Sequence, residues 1–315
     1  MTASGVRKSP AESPGGRRDG SARRGSRSEQ ASRPRGYPPG RTRAPKWLKG
    51  ADPDRALTLP TCSETMDTTP EYVPDVNLIR EGTMASWVEG KLLGFDLETT
   101  GTDAYQDVPV SYAFVYYDRG LRTQALGGLV NPGRAIPESA IAVHGITNER
   151  AEAEGADLED AIAEIVDALL LASKADVPLV GMNVAYDLKM IDACSQRVLG
   201  LSLSDAGWAG PVLDILVIDR HYDRYRKGGR KLVDLCSHYG IGKGVNLHDA
   251  RDDVEATVSV LLQQASKYAE LRSMGLGELY AAQHAWHRDW AKDFSKYLVS
   301  KGRDPLRPSE LAWPL

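Results

Sequence analysis

The sequence predicts an α/β protein built on a mixed β-sheet flanked by helices. Two features carry this expectation. Three strand-like runs come first, and helical runs then alternate with short apolar strands. The chain is also long enough, at 315 residues with 42% hydrophobic residues, to bury a sizeable core.

The strands begin at "KLLGFDLE" (91–98), an apolar run broken by two acids. "VPVSYAFVYYD" (108–118) and "LRTQALGGLVNP" (121–132) read as a hairpin turning at Arg119-Gly120. In "PESAIAVHGIT" (137–147), Pro137 stands at an expected helix start. "DLEDAIAEIVDALLLAS" (157–173) is helical by the recurrence of Leu158, Ile162, Ile165, Val166 and Leu169. "VPLVGMNV" (177–184) reads as a short strand, "AYDLKMIDACSQRVL" (185–199) as a helix, and "VLDILVI" (212–218) as a strand or a strand–helix junction. "GRKLVDLCSHYGI" (229–241) predicts a short helix and 247–274 one long helix. The tail that follows, with Trp286, Trp290 and Trp313, reads as a helix docked on the body, with a partner-binding helix as the alternative.

Charge divides the chain. The first 50 residues carry 13 Lys and Arg against 3 Asp and Glu, and the remaining 265 carry 26 against 40. Residues 1–75 are rich in Arg, Ser, Gly and Pro and lack apolar periodicity, so they are expected to be disordered. Such an arm can track phosphates, or it is a linker or the product of a start codon assigned upstream of Met66 or Met84. Cys62, Cys194 and Cys236 show no metal-binding or disulfide spacing, which favours a reduced, cytoplasmic setting. No run is apolar enough to span a membrane, and no secretory signal is expected.

The acids raise the functional question. Asp96 and Glu98 alternate onto the same face of their strand, where two anions repel unless a cation intervenes. A hard divalent ion with oxygen ligands resolves that conflict. Asp187 opens a helix after a buried strand, the kind of position where sites gather in such sheets. "HDARDDVEAT" offers His248 and Asp253, with Asp249 as a cap and Asp252 as a solvated neighbour. Five residues turn about 500° along a helix, so His248 is expected in the preceding loop or first turn and Asp253 inside the helix. Each group alone has an ordinary structural explanation as a strand-end acid, a helix-start acid or a surface histidine.

In combination, "GFDLETTG", "VGMNVAYDLKMI" and "HDARDDVEAT" resemble, in order and spacing, the DEDDh, or DnaQ-like, 3′–5′ exonuclease family. "AIAVHGITNE" (140–149) resembles that family's intermediate segment. The resemblance, over residues of about 90–265, implies a ribonuclease H-like fold and an exonuclease domain, expected over 85–272; the tail is expected as a helical C-terminal extension over 273–315. It implies that Asp96, Glu98, Asp187 and Asp253 hold two Mg²⁺ or Mn²⁺ ions and that His248 is the general base. Asp249 stands where the family's tyrosine variant has Tyr, so the histidine group is the better match. His144, Thr99, Thr100 and Asn183 are expected near the terminal nucleotide. Met182 departs from the His that many relatives carry before the Asn.

The stretch "HYDRYRKGGRK" (221–231) adds Arg224, Arg226, Lys227, Arg230 and Lys231, interleaved with Tyr222 and Tyr225. These residues are expected to hold phosphates and stack on bases, or else to form a solvated basic loop. The function implied is hydrolysis of a single-stranded 3′ end, DNA before RNA, to nucleoside 5′-monophosphates in repair or proofreading. Proofreading would require a polymerase in trans. The alternatives are an exoribonuclease of the same family and a non-catalytic module that binds nucleic acid or a polymerase. Oligomeric state is not legible.

Overall fold

The computed structural model describes residues 86–242 and 249–315. The expected N-terminal arm and His248 lie outside the described residues. Among those described, no helix is long and apolar enough to cross a membrane.

The first three strands are β1 (Lys91–Thr99), β2 (Pro109–Asp118) and β3 (Leu121–Asn131), with β1 and β2 buried along most of their length. They form an antiparallel meander. The β2–β3 turn is Arg119-Gly120 with φ of 52° and 75°, the doubly left-handed geometry of a tight hairpin. Helices α1 (Glu138–His144) and α2 (Asn148–Glu154) follow. Gly145 ends α1 in the left-handed conformation, and Thr147 caps α2 by accepting from Arg150 N–H.

Short β4 (Ala156–Asp157) pairs parallel with β3 and leads into α3 (Leu158–Lys174). Then come β5 (Leu179–Gly181), α4 (Ala185–Val198), β6 (Val212–Asp214) and α5 (Ile215–Tyr222). The "VLDILVI" run is thus a strand–helix junction. The completed sheet has the order β4-β3-β2-β1-β5-β6, with β5 parallel to β1 and β6 parallel to β5. This is the mixed sheet that the sequence predicts.

Helices cover both faces. Leu93, Phe95 and Leu97 of β1 join the core formed with α3 and α4. Leu92 joins the opposite core, with α5, α6 (Leu232–Tyr239) and α7 (Ala250–Lys267). By strand alternation, Gly94, Asp96 and Glu98 share the face of Leu92 and look toward α7. A side chain at Gly94 would collide with Val254 Cγ1, so the glycine lets α7 lie close against the strand.

The single helix expected over 247–274 is two. Helix α7 stops at Tyr268, which is extended (φ −112°, ψ 99°), and α8 (Ala269–Ser273) resumes beyond it. The Tyr268 ring stacks on Tyr222 at 4.6 Å between centroids, a packing reason for a break that no Gly or Pro announces.

The tail docks as expected. Helix α9 (Leu276–Ser300) buries Leu279, Gln283, His287, Ala291 and Leu298, and α10 (Pro308–Leu311) turns the chain back so that Trp313 is buried.

Candidate active site

Three acids meet at the carboxyl end of β1, with a fourth nearby. Asp96 and Glu98 come from β1, and Asp253 comes from the first turn of α7. Carboxylate oxygens of these three lie within 4.8 Å of one another. Asp187, in the first turn of α4 and 5% exposed, lies close enough for its charge to act on Asp96. Just after Glu98 the β1–β2 register shifts, a bulge of the kind that re-aims side chains at sheet ends.

Burial and mutual repulsion raise the pKa of Asp96, Glu98 and Asp187. Burial, then Asp187, Asp253 and Glu98, hold the Asp96 carboxyl well above the usual range. Burial, then Asp253 and Asp249, push Glu98 up to about 8. Burial raises Asp187 too, with Asp214 and Glu98 adding to it and its own backbone opposing. Oxygen-only donors packed this closely fit a hard divalent cation, which would release the protons that burial retains.

The surrounding elements fix these side chains. Tyr186, beside Asp187, donates its hydroxyl to Gly101 O at 2.5 Å, and its oxygen lies 3.3 Å from Thr99 Oγ1. The start of α4 is thereby tied to the turn after β1. A Cβ on Gly101 would stand 2.5 Å from Asp107 Oδ2, so the Asp107 side chain packs close against this turn. Asp249 caps α7 by accepting from Arg251 N–H at 3.0 Å, as the sequence suggests.

A cleft of about 460 Å³ opens beside Glu98, and Ser111, His144, Arg150, Asp249 and Arg251 contribute to its walls. His144 Nδ1 accepts from Ile146 N–H at 3.1 Å. Burial lowers the pKa of the ring, while the Thr99 backbone beside it pulls the other way. Asn183 is exposed and left-handed, with φ of 56°, at the mouth of α4. Thr100 is differently placed. It is 2% exposed, and its hydroxyl donates to Asp107 Oδ1 and accepts from Val108 N–H, so it organises the loop.

The basic stretch needs correction. Arg226 and Arg230 turn inward onto Asp219, whose side chain is wholly buried. Tyr239 donates to the same carboxylate at 2.9 Å. Arg224 pairs with Asp293 of α9. A buried anion draws in the nearest cations, so two of the five expected phosphate contacts serve the fold and a third is engaged at the surface. Lys227 and Lys231 stay exposed.

Sequence reasoning missed Asp214, Tyr186, Arg150 and Arg251. The signal for Asp214 was present as a lone acid inside the apolar run "VLDILVI".

Fold and site together define a ribonuclease H-like α/β protein with an oxygen-only acidic centre. The exonuclease (RNase T) family model matches residues 93–261, more than half of the chain. The chain belongs to this family, in its DEDDh, DnaQ-like 3′–5′ exonuclease group. It is 26% identical over 199 residues to the DNA polymerase III subunit epsilon of Aquifex aeolicus, covering 62% of this chain and 89% of that protein. It is 24% identical over 233 residues to the PolC-type DNA polymerase III of Bacillus subtilis, covering 69% of this chain. The match spans only 15% of that relative's length. E. coli Exonuclease I in complex with a dT13 oligonucleotide shares the fold with a TM-score of 0.50 at 21% identity, over 58% of this chain and 42% of that one. The zinc-bound E. coli ExoI–ssDNA complex is similar at 20% identity and the same score, over 64% and 43%.

Proposed function

We propose that the protein is a divalent-metal-dependent 3′–5′ exonuclease that removes nucleotides from single-stranded DNA 3′ ends as 5′-monophosphates. The observation that carries this reading is the convergence of Asp96, Glu98 and Asp253 from elements far apart in the chain, with Asp187 beside them. The catalytic domain is residues 85–272, with 273–315 as its helical extension.

Asp96, Glu98, Asp187 and Asp253 would hold two Mg²⁺ or Mn²⁺ ions. When bound, such ions supply Lewis acidity toward the phosphodiester and its attacking water. The chain's own groups do the rest. The carboxylates give up retained protons on binding the cations. His248, immediately before the α7 cap in the chain, takes the proton of the attacking water. His144 lines the cleft that receives the terminal nucleotide, Thr99 follows Glu98 at its edge, and the exposed Asn183 stands at the head of α4 to contact that nucleotide. Lys227 and Lys231 supply exposed positive charge for phosphates.

The relatives among DNA polymerase III proteins support a replication or repair setting, with a DNA polymerase as partner. The DNA-bound Exonuclease I structures share only the fold, so the preference for DNA is tested directly.

The test is digestion of 5′-labelled single-stranded DNA and RNA of matched sequence, with Mg²⁺ and then with EDTA. A ladder shortening from the 3′ end, on DNA before RNA and abolished by EDTA, is expected. Asp96→Ala should abolish it while retaining the parent circular dichroism spectrum. A ladder from Asp96→Ala equal to the parent's overturns the assignment.

A further inference from the structure

Helix α4 lacks a cap of its own. Val184 at its N-cap has no side chain able to accept, and Asn183 before it is left-handed. The amides there go to Asp214 at the end of β6. Asn183 N–H donates to Oδ1 at 3.0 Å, and Val184 N–H donates to Oδ2 at 3.2 Å. The same carboxyl group accepts from Leu216 N–H at 2.9 Å and so caps α5 as well. One side chain, 1% exposed, caps α5 and holds the two residues that lead into α4.

The C-terminal extension grips this junction at three points. Gln283 of α9, fully buried, accepts from Asp214 N–H at 2.8 Å and donates to Val212 O at 2.9 Å. Trp313 directs its indole N–H at Asp214 Oδ2 from 3.5 Å. Lys189 of α4, two residues past Asp187, donates to Ser309 O and Ala312 O, both at 2.7 Å. Residues 309–313 are thus fastened to α4 on one side and, on the other, to the carboxylate that holds its entry.

We infer that Lys189, Gln283 and Trp313 form a strap through which the C-terminal extension sets the position of Asp187 in the cation site. They are positioning residues, and this role rests on the reading of Asp187 as a cation ligand. Gln283 and Trp313 lie beyond the residues that the family model matches. Asp187 sits in the first turn of α4, whose entry Asp214 holds, and a change in the pitch of α4 displaces its carboxylate. Cation sites tolerate such displacement poorly: loss of groups that orient ligands weakens metal binding by about 10- to 100-fold.

The test uses the full chain and Mn²⁺ alone, by titration calorimetry without substrate, alongside turnover and melting in EDTA. Trp313→Phe keeps an aromatic ring and removes the N–H, and Lys189→Met keeps the stem and removes the donor. The double variant should bind Mn²⁺ about 10-fold more weakly. Its turnover should fall at limiting Mn²⁺ and recover at saturation, with KM for DNA unchanged. Parent-like Mn²⁺ affinity in the folded double variant overturns the strap, whatever its melting temperature. Lys189→Met alone gives the same reading should the double variant fail to fold. Asp187→Asn is run in parallel. Mn²⁺ binding weakened there but intact in the strap variants overturns the strap alone, and binding unchanged in Asp187→Asn overturns the role of Asp187 itself.

Discussion

Gly94 of β1 and Val254 of α7 meet where a side chain is missing: a Cβ on Gly94 would lie 2.3 Å from Val254 Cγ1 and 3.2 Å from Val258 Cγ2. Asp96 is two residues along the strand, and Asp253 immediately precedes Val254 in the helix. The closeness of the two acids therefore depends on how near the helix can lie to the strand.

Gly94→Ala should accordingly harm the site more than the fold. Forcing one extra methyl into a packed core costs about 1–3 kcal/mol, and α7 must move outward, taking Asp253 with it. The expected result is a lowered urea midpoint and a larger loss of nuclease activity at limiting Mg²⁺. Adding Val254→Ala opens the space and should restore much of both. Unaltered midpoint and Mg²⁺ dependence in Gly94→Ala would show that the contact does not govern the cluster.

Without metal, the acid cluster should make stability fall as pH rises. Glu98 moves from 4.5 to about 8, first through burial and then through Asp253 and Asp249. The unfolded chain ionises this carboxyl near its ordinary value while the folded chain retains the proton. The unfolded state therefore gains across the window between those values, by about 1.4 kcal/mol per pH unit before relaxation. Asp96 and Asp187 act in the same direction. Melting temperature in EDTA should drop across this window, and Glu98→Gln should flatten the drop. Mg²⁺ should stabilise more at the alkaline end, where fewer protons compete. A level EDTA profile in the parent would contradict the burial of these charges.

The arginines of 221–231 should separate by role. Arg226→Ala leaves the buried Asp219 with one fewer guanidinium, and breaking a buried ion pair costs about 3–5 kcal/mol. Its signature is lost stability. Lys227→Ala with Lys231→Ala should leave melting unchanged, weaken binding to single-stranded DNA and reduce its salt dependence. Chemical denaturation and fluorescence anisotropy at several salt concentrations distinguish the two. Equal salt slopes in parent and lysine variant would assign those side chains to solvent.

Those arginines also show where a sequence stops being legible. The β1 alternation, the periodicity of α3 and the Arg119-Gly120 turn are local patterns, and local backbone preference decides them. The three acidic segments are legible because each sits at the edge of an element, where a strand or helix end must deliver its side chain. Asp219 and Asp214 depend instead on burial by segments distant in the chain. A lone acid in an apolar run reads the same whether it caps a buried helix start or faces water, and Arg226 reads as a solvated cation until Asp219 is known to be inside. The break at Tyr268 follows from its stacking on Tyr222, a contact that no local signal encodes.

The remaining prediction concerns the proton. His248 immediately precedes Asp249, the α7 cap that shares the cleft with Glu98. An imidazole has an unperturbed pKa of about 6.5, so as general base it is competent only once deprotonated. Turnover at saturating Mg²⁺ should therefore rise with pH through the neutral range in the parent. His248→Ala should lower turnover by about 100-fold or more and remove that limb, leaving Mg²⁺ affinity intact because the carboxylates are untouched. Imidazole added to the buffer should restore part of the rate. Survival of the same rising limb in His248→Ala would transfer the base role to another group and leave the acid cluster standing.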